Sequence, residues 1–434
     1  MYEVSDKKYG TEDVYFNLPT LVLIEYIAFL PSGYLLKLMG TRFTTLLGLI
    51  LTLIHYLILY FITNFWTGLI AMGIFGCGIG LGYFPLLSTS WQYFPEKKGL
   101  LSGIILSCFG SAAFIWTAIA DNLINPKKIK VQESGDYKKY YTPDISKKII
   151  DFWKIMIFVV IGAMIIVGLL SFEYYEDDIE KEDLINEDDN NDEDEKIDLK
   201  IKKKKDNDKI NHKLILRIFF SWEYIRLVLM QFGCSMFLYL VSIMMRPFGE
   251  QVKGLSINAL QVLSLVCSIL NGICRIIWGP LLDCIGVKLC VYIDIGLYIF
   301  SSGVYYFCGS HIVLYYIINI ITQFSNSGSS VIMAILNRQI CGEYFLILWG
   351  YAGVIYGISS WIGPFFVKVL DIEKRGAFVY MITFLICCGL CIISMILYCF
   401  IGDKPIDFNK YKTPEELAID AEKNKELVKD SSNL

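Results

Sequence analysis

The sequence predicts an all-α, polytopic membrane protein. Three observations carry that prediction. Of 434 residues, 55% are hydrophobic, and the mean hydropathy is +0.50, against roughly 45–50% apolar content in soluble domains. The excess is gathered into runs of about 20 residues with few charges, the length that spans a hydrocarbon core of about 30 Å as a helix. The charged residues are segregated into the stretches between those runs, so the net charge of −4 is an average with little meaning of its own. In lipid only helices and closed barrels satisfy their own backbone groups, and these runs are too long and too evenly apolar for barrel strands.

The apolar runs, in order, are 18–39, 43–64, 66–90, 99–121, 149–172, 216–246, 258–282, 287–309, 311–335, 343–370 and 376–401. The fifth and sixth are separated by a break in composition. Asp and Glu dominate from Glu176 to Asp198, and the basic block Lys202–Lys205 follows. Such a stretch cannot bury apolar area and is expected to be a disordered tether. After Gly402 the chain turns polar again; Thr413 as cap and Pro414 in the first turn predict a surface helix over 413–424. The expected organisation is therefore an N-terminal bundle over 1–172, a charged tether over 173–213, a C-terminal bundle over 214–402 and a tail over 403–434. The 13 cysteines are scattered through apolar runs. Even the Cys388/Cys391 pair, beside Cys387, is expected as small core or lipid-facing residues. His55, His212 and His311 form no cluster, so no metal and no cofactor is expected. No nucleophile elbow and no phosphate loop is present, so an enzyme is not expected. Nor does any charge pattern point to nucleic acid.

Two short stretches match each other across the halves. The first runs Gly33-Tyr34-Leu35-Leu36-Lys37-Leu38-Met39-Gly40-Thr41-Arg42, the second Gly279-Pro280-Leu281-Leu282-Asp283-Cys284-Ile285-Gly286-Val287-Lys288. Each joins two apolar runs, and both resemble the G-x-x-x-D-x-x-G-x-[RK] loop of the major facilitator superfamily. Glycines let helices approach and the chain turn sharply, and the acid can latch one half against the other. Lys37 stands where that family has Asp; Asp283 keeps it. A third stretch, Trp91-Gln92-Tyr93-Phe94-Pro95-Glu96-Lys97-Lys98-Gly99 with Gly103 beyond it, is similar to the loop between helices 4 and 5 of oxalate:formate antiporters and monocarboxylate-transporter-like proteins. The resemblance implies a twelve-helix fold of two pseudo-symmetric bundles. Numbered through these loops, the run 18–39 is helix 2, so about 11 transmembrane helices are expected here, helix 1 being absent from this sequence.

The resemblance also singles out Arg275. It lies eight residues before Asp283, about 12 Å along the helix at ~1.5 Å per residue, hence near mid-membrane. An arginine there costs about 2.5 kcal/mol or more in lipid, so it should meet an anion, and guanidinium matches a carboxylate bidentately. The stretch Asn271-Gly272-Ile273-Cys274-Arg275 looks like helix 8 of the oxalate:formate family, where this arginine binds substrate; otherwise Arg275 is a structural residue bonded to a helix carbonyl or a carboxylate. Two departures matter. Tyr356 stands where helix 11 of that family carries a second cation, which favours a monoanion over a dianion. Asn271 stands where animal-type monocarboxylate transporters carry a proton-bearing Asp, so that residue cannot titrate here. Glu25 in helix 2 is the candidate proton carrier or Arg partner. Gln323 and Asn326 in helix 10 are candidate substrate contacts. Asp294 is expected to be structural, and Arg246, before Pro247, a snorkelling anchor at a helix end.

Placing the tether inside the cell puts Lys97, Lys98, Lys288 and Arg338 inside too, in line with the positive-inside rule. The stretch 122–148 then lies outside with seven lysines, against that rule. The expected function is secondary transport of a small anion such as pyruvate, lactate or formate, by exchange or with protons, through alternating access of a monomer in the bilayer. The plasma membrane is the expected location and an organelle membrane the alternative. The competing reading is a non-transporting, receptor-like membrane protein, or a carrier of another small solute.

Overall fold

The computed structural model describes residues 16–61, 64–126, 132–134, 137–140, 143–170, 212–369, 377–401, 405–414 and 416–417. Of the stretch expected as a tether, only His212 and Lys213 fall among them.

The first element, α1 (Asn17–Tyr60), has 44 residues. At ~1.5 Å per residue that is about twice the thickness of a bilayer core. It is two limbs folded at Gly40, whose φ of 74° is open to glycine and strained for other residues. The expected runs 18–39 and 43–64 are these limbs. Then follow α2 (Phe65–Tyr93), α3 (Lys98–Ile124), a two-stranded antiparallel hairpin of β1 (Gln132–Ser134) and β2 (Tyr137–Tyr140), and α4 (Pro143–Leu170). The hairpin is an element that the helical reading of the sequence did not foresee. The second half holds α5 (His212–Phe219), α6 (Trp222–Gln251), α7 (Ile257–Ile285), α8 (Val287–Tyr305), α9 (Ile312–Cys341), α10 (Phe345–Val369) and α11 (Ala377–Ile401).

Local chemistry sets these ends. Asn64 caps α2 by accepting from the Thr67 amide at 2.8 Å, and Ser221 and Ser256 cap α6 and α7 in the same way at 3.2 Å. The Ser221 cap corrects one boundary: the run expected from 216 begins its membrane helix at Trp222, and α5 is a separate short helix. The same run was expected to end at Arg246. Instead α6 continues through Pro247 to Gln251, and Arg246 pairs with Glu250 one turn on, at 3.4 Å. Between α7 and α8 a single residue, Gly286, turns the chain with φ 82°, ψ 157°, close to the φ 74°, ψ 178° of Gly40. The two motif copies thus make the same backbone turn in each half.

Eight described helices are long and apolar enough to cross a membrane, α1 counted once. α9 falls outside that count, and its middle, from Thr322 to Ser330, is rich in Ser, Asn and Gln. In α10 the apolar stretch is Ile347–Ile362. The protein is a multi-pass integral membrane protein.

α1 packs on α2 and α4, and α6 packs on α10 and α11. Small residues set the spacing. A Cβ on Gly48 would lie 2.6 Å from the Gly78 carbonyl oxygen, so the second limb of α1 and α2 touch backbone to backbone. The halves meet along two seams. α3 lies on α7, and the first limb of α1 lies on α10, where Gly350, Gly353 and Gly357 admit Leu30, Tyr26 and Leu23. One face of the molecule gathers the Gly40 and Gly286 turns, the 94–97 loop, α5 and the segment 405–417; we call it the tether side. There Thr413 accepts from the Glu416 amide (3.3 Å) while the Glu416 carboxylate accepts from the Thr413 amide (2.6 Å). This reciprocal cap is the start expected for the tail helix; most of the rest of that helix lies outside the described residues.

Candidate functional site

On the tether side the seam between α3 and α7 is held by Asp283. Its two carboxylate oxygens accept from the amides of Gly99 and Leu100, each at 3.0 Å. These amides belong to the first turn of α3, where N–H groups lack helical partners and the helix dipole is positive. An acid of one half therefore caps a helix of the other. The first motif copy makes no such bond among the described residues, and Lys37 is exposed. Arg42 instead donates to the carbonyl of Gly168, near the end of α4, where a cation suits the dipole. Replacing Asp283 by Ala should lower stability by about 1 kcal/mol, the usual worth of a cap, kept at that size by the exposure of the carboxylate. Thermal melting of the purified protein measures it, with Asp283→Asn as the intermediate case.

Along the same seam Gly279 and Gly103 bring the two backbones together, and a Cβ on Gly103 would lie 2.5 Å from the carbonyl oxygen of Arg275. Arg275 is thereby fixed against α3. Its side chain is buried, and Nη1 donates to the Leu106 carbonyl across the seam at 2.7 Å. Its Nε has no acceptor among the described residues. One N–H of this arginine is thus spent on a helix carbonyl, and its buried Nε has no partner among the described residues.

Around Arg275 stand aromatic residues from both halves. Arg275 and Glu25 both lie near the Tyr83 hydroxyl of α2, and Glu25 lies near those of Tyr26 and Tyr239. Tyr239 of α6 bonds Tyr26 of α1 through their hydroxyls at 3.4 Å, and Tyr26 meets the Tyr356 ring edge-on at 5.9 Å. The Tyr356 hydroxyl is a second buried donor without an acceptor among the described residues. Toward the tether side the cluster continues as a plug. Phe29 stacks on Tyr83 at 5.2 Å, Trp349 closes on both, and Phe345 joins Trp349 to Trp91. The indole of Trp91, within the 91–103 motif, donates to Ser102 at 2.8 Å.

Of the residues singled out in the sequence, Arg275, Tyr356 and Glu25 converge on this cluster. Asn271 lies one turn along α7, with Oδ1 3.5 Å from the Ser327 hydroxyl. Gln323 and Asn326 bond each other at 3.4 Å, and the Gln323 carbonyl accepts from Ser327. Both side chains are partly buried in the middle of α9. Gly33 is buried in the first limb of α1. Asp294 sits fully buried in the second half, accepting from Ser325 at 2.7 Å. Tyr26, Tyr83, Tyr239 and Trp349 escaped the sequence reading. An aromatic residue in an apolar run carries no mark of which way it faces.

Solved structures give the architecture its context. Over 92% of this chain and 91% of the other, the fold matches FucP, a major facilitator superfamily transporter in the outward conformation, with a TM-score of 0.64 and 13% identity. The fold is that of the major facilitator superfamily. A second structure of FucP, the E. coli fucose:proton symporter, carries a single substitution and matches at 0.61 with 13% identity, over 89% of this chain and 96% of that one. The proton:xylose symporter XylE bound to 6-bromo-6-deoxy-D-glucose matches at 0.63 with 14% identity, over 94% and 89%. Among curated proteins, apicoplast pyruvate carrier 1 of Toxoplasma gondii is 39% identical over 54 residues, which is 12% of this chain and 10% of the relative. The chain thus matches about a tenth of that relative's length. No family model matches the sequence.

Proposed function

We propose that the protein is a secondary transporter of small monocarboxylates, of pyruvate, lactate or formate size, taken up with a proton. The observation that carries the reading is the pair of buried, unsatisfied donors, Arg275 Nε and Tyr356 Oη, on one aromatic cluster between the halves. A carboxylate brings two acceptor oxygens, and hydrogen bonds to a charged partner are the stronger kind. The partial match to a pyruvate carrier agrees with that chemistry, and the fold neighbours agree with transport.

Charge balance suggests the coupling. Arg275 and Glu25 both lie near the Tyr83 hydroxyl, so a charge on either is felt at the same junction. An incoming carboxylate is neutralised by the guanidinium, which leaves a charged Glu25 in excess. A proton on Glu25 restores neutrality, so substrate and proton cross together and the loaded junction carries no net charge. Loading in this way lowers the cost of rocking the halves past each other, which alternating access requires. Asn271, which cannot titrate, leaves this task to Glu25. Gln323 and Asn326 are assigned a supporting polar surface behind Asn271.

The test is uptake of labelled pyruvate, lactate and formate into proteoliposomes, driven by an inward proton gradient. Saturable accumulation is expected, with one of the three preferred. Glu25→Gln should remove accumulation against a gradient, a drop of at least about tenfold for a lost carrier, and keep exchange of labelled for unlabelled substrate. Gradient-driven accumulation at the wild-type level in Glu25→Gln would refute the coupling. Absence of all uptake by folded protein would leave the non-transporting reading, or a carrier of another small solute such as the sugars of the fold neighbours.

A further inference from the structure

The short helix α5 has two faces of different character. Leu214, Ile215 and Ile218 are buried against the second half. The opposite face carries Lys213 and Leu216, and Phe220, just past the last residue of the helix, continues the same i, i+3, i+7 stripe. Leu216 is 43% exposed and Phe220 70%, and Trp222 just beyond is 64% exposed. α5 passes within two residues into α6, a membrane span. Its open apolar face therefore lies at the boundary of the bilayer on the tether side, where amphipathic side chains settle.

One cation lies on that face, at Lys213, and a second, Arg226, lies at the exposed Trp222 ring. Lys213 is exposed and has no carboxylate partner among the described residues. Arg226 lies 6.0 Å over the Trp222 ring and donates to the Phe400 carbonyl at 3.0 Å, and it too has no carboxylate partner among the described residues. The acids nearby are engaged elsewhere. Glu416 holds Arg217 at 2.8 Å, and Glu223 takes the Tyr411 hydroxyl at 3.1 Å and Lys410 at 3.6 Å. An apolar stripe at the membrane boundary, with two cations that have no carboxylate partner among the described residues, is complementary to a lipid with an acyl chain and an anionic headgroup.

We propose that α5 and the entry of α6 form a binding site for an anionic phospholipid of the tether-side leaflet. Leu216, Phe220 and Trp222 take the acyl chains, and Lys213 and Arg226 take the headgroup phosphate. The site also reaches the first half. At the start of α5, His212 bonds the Tyr34 hydroxyl through Nδ1 at 3.1 Å, with the rings stacked at 5.5 Å. A lipid that pins α5 therefore braces the closed tether side. The inference needs only the membrane location and stands apart from the choice of substrate.

The full chain in nanodiscs of phosphatidylcholine, with phosphatidylglycerol raised stepwise, tests it by melting temperature. The wild type should gain stability as phosphatidylglycerol increases. Each juxtamembrane cation contributes roughly fivefold to such binding. The K213Q/R226Q double variant should then need roughly 25-fold more anionic lipid, which removes the response over the attainable range. K213R/R226K should restore it. Equal melting of variant and wild type in pure phosphatidylcholine excludes a folding defect; if the double variant fails that control, K213Q alone is read, with a fivefold shift expected. An unchanged response in the variants, a wild type indifferent to phosphatidylglycerol, or the same stabilisation by inorganic phosphate in phosphatidylcholine discs would each overturn the proposal.

Discussion

Arg275→Gln should abolish saturable monocarboxylate uptake while the protein still folds. Removing one partner of a buried, hydrogen-bonded charge pair costs about 2–5 kcal/mol of binding, and about 3 kcal/mol is a loss of more than a hundredfold. Folding should not suffer in proportion. The guanidinium stands in the membrane interior with one N–H on the Leu106 carbonyl and its Nε unsatisfied, and an arginine there is itself a burden on stability. The helix contact beside it depends on Gly103 and Gly279, which the substitution leaves in place. The expected signature is therefore a melting temperature equal to or above the wild type, together with lost uptake. Arg275→Lys separates charge from geometry: a point charge without the planar fork should recover only a small part of the rate. Wild-type uptake by a folded Arg275→Gln protein would remove Arg275 from the site and favour an uncharged substrate.

What the sequence disclosed and what it withheld follow one physical line. Features written as a backbone requirement were legible. Gly40 and Gly286 were marked as turns and adopt matching positive φ. The stretch 91–99 was matched to a loop between two helices, and α2 stops at Tyr93 with α3 starting at Lys98. Asp283 was read as a latch between halves, and it bonds α3 of the other half. A charged residue in an apolar run was equally legible, because its cost in lipid demands a reason, and this drew attention to Arg275 and Glu25. The aromatic cluster was not. Tyr26, Phe29, Tyr83 and Trp349 are unremarkable in helices that are apolar all round, where periodicity gives no preferred face. Their convergence needs the relative rotation of α1, α2 and α10, which glycine contacts set at positions far apart in the chain. The same limit hides which way Gln323 and Asn326 face. Their polarity was visible, but not that they bond each other along α9. α5 was merged with α6 because the apolar run continues across the cap at Ser221.

Gly103→Val should be as damaging to transport as loss of Arg275, by a different route. A Cβ at position 103 would lie 2.5 Å from the Arg275 carbonyl oxygen and 3.3 Å from the Gly279 Cα. Both neighbours are backbone, so no side chain can swing away, and α3 and α7 must separate. Overpacking of this kind costs about 1–3 kcal/mol, and the upper end applies where two backbones meet. The penalty falls on the state described here, with the tether side closed, and not on a state in which that end of the seam has opened. About 3 kcal/mol against one member of an alternating pair shifts the balance by more than a hundredfold. The carrier is then held in one orientation and turns over slowly even with its binding residues intact. Uptake should fall by at least about tenfold, with Gly103→Ala intermediate, and melting temperature should drop in the same order. Gly82, in α2, is the control: a Cβ there meets nothing within 4 Å, so Gly82→Ala should leave both readouts near wild type. Separation of the two effects would also show which link fails. Lost uptake with unchanged melting would mean that the seam governs motion more than stability. Wild-type uptake and melting in Gly103→Val would mean that α3 and α7 do not meet there, and with that contact would go the placement of Arg275 against Leu106.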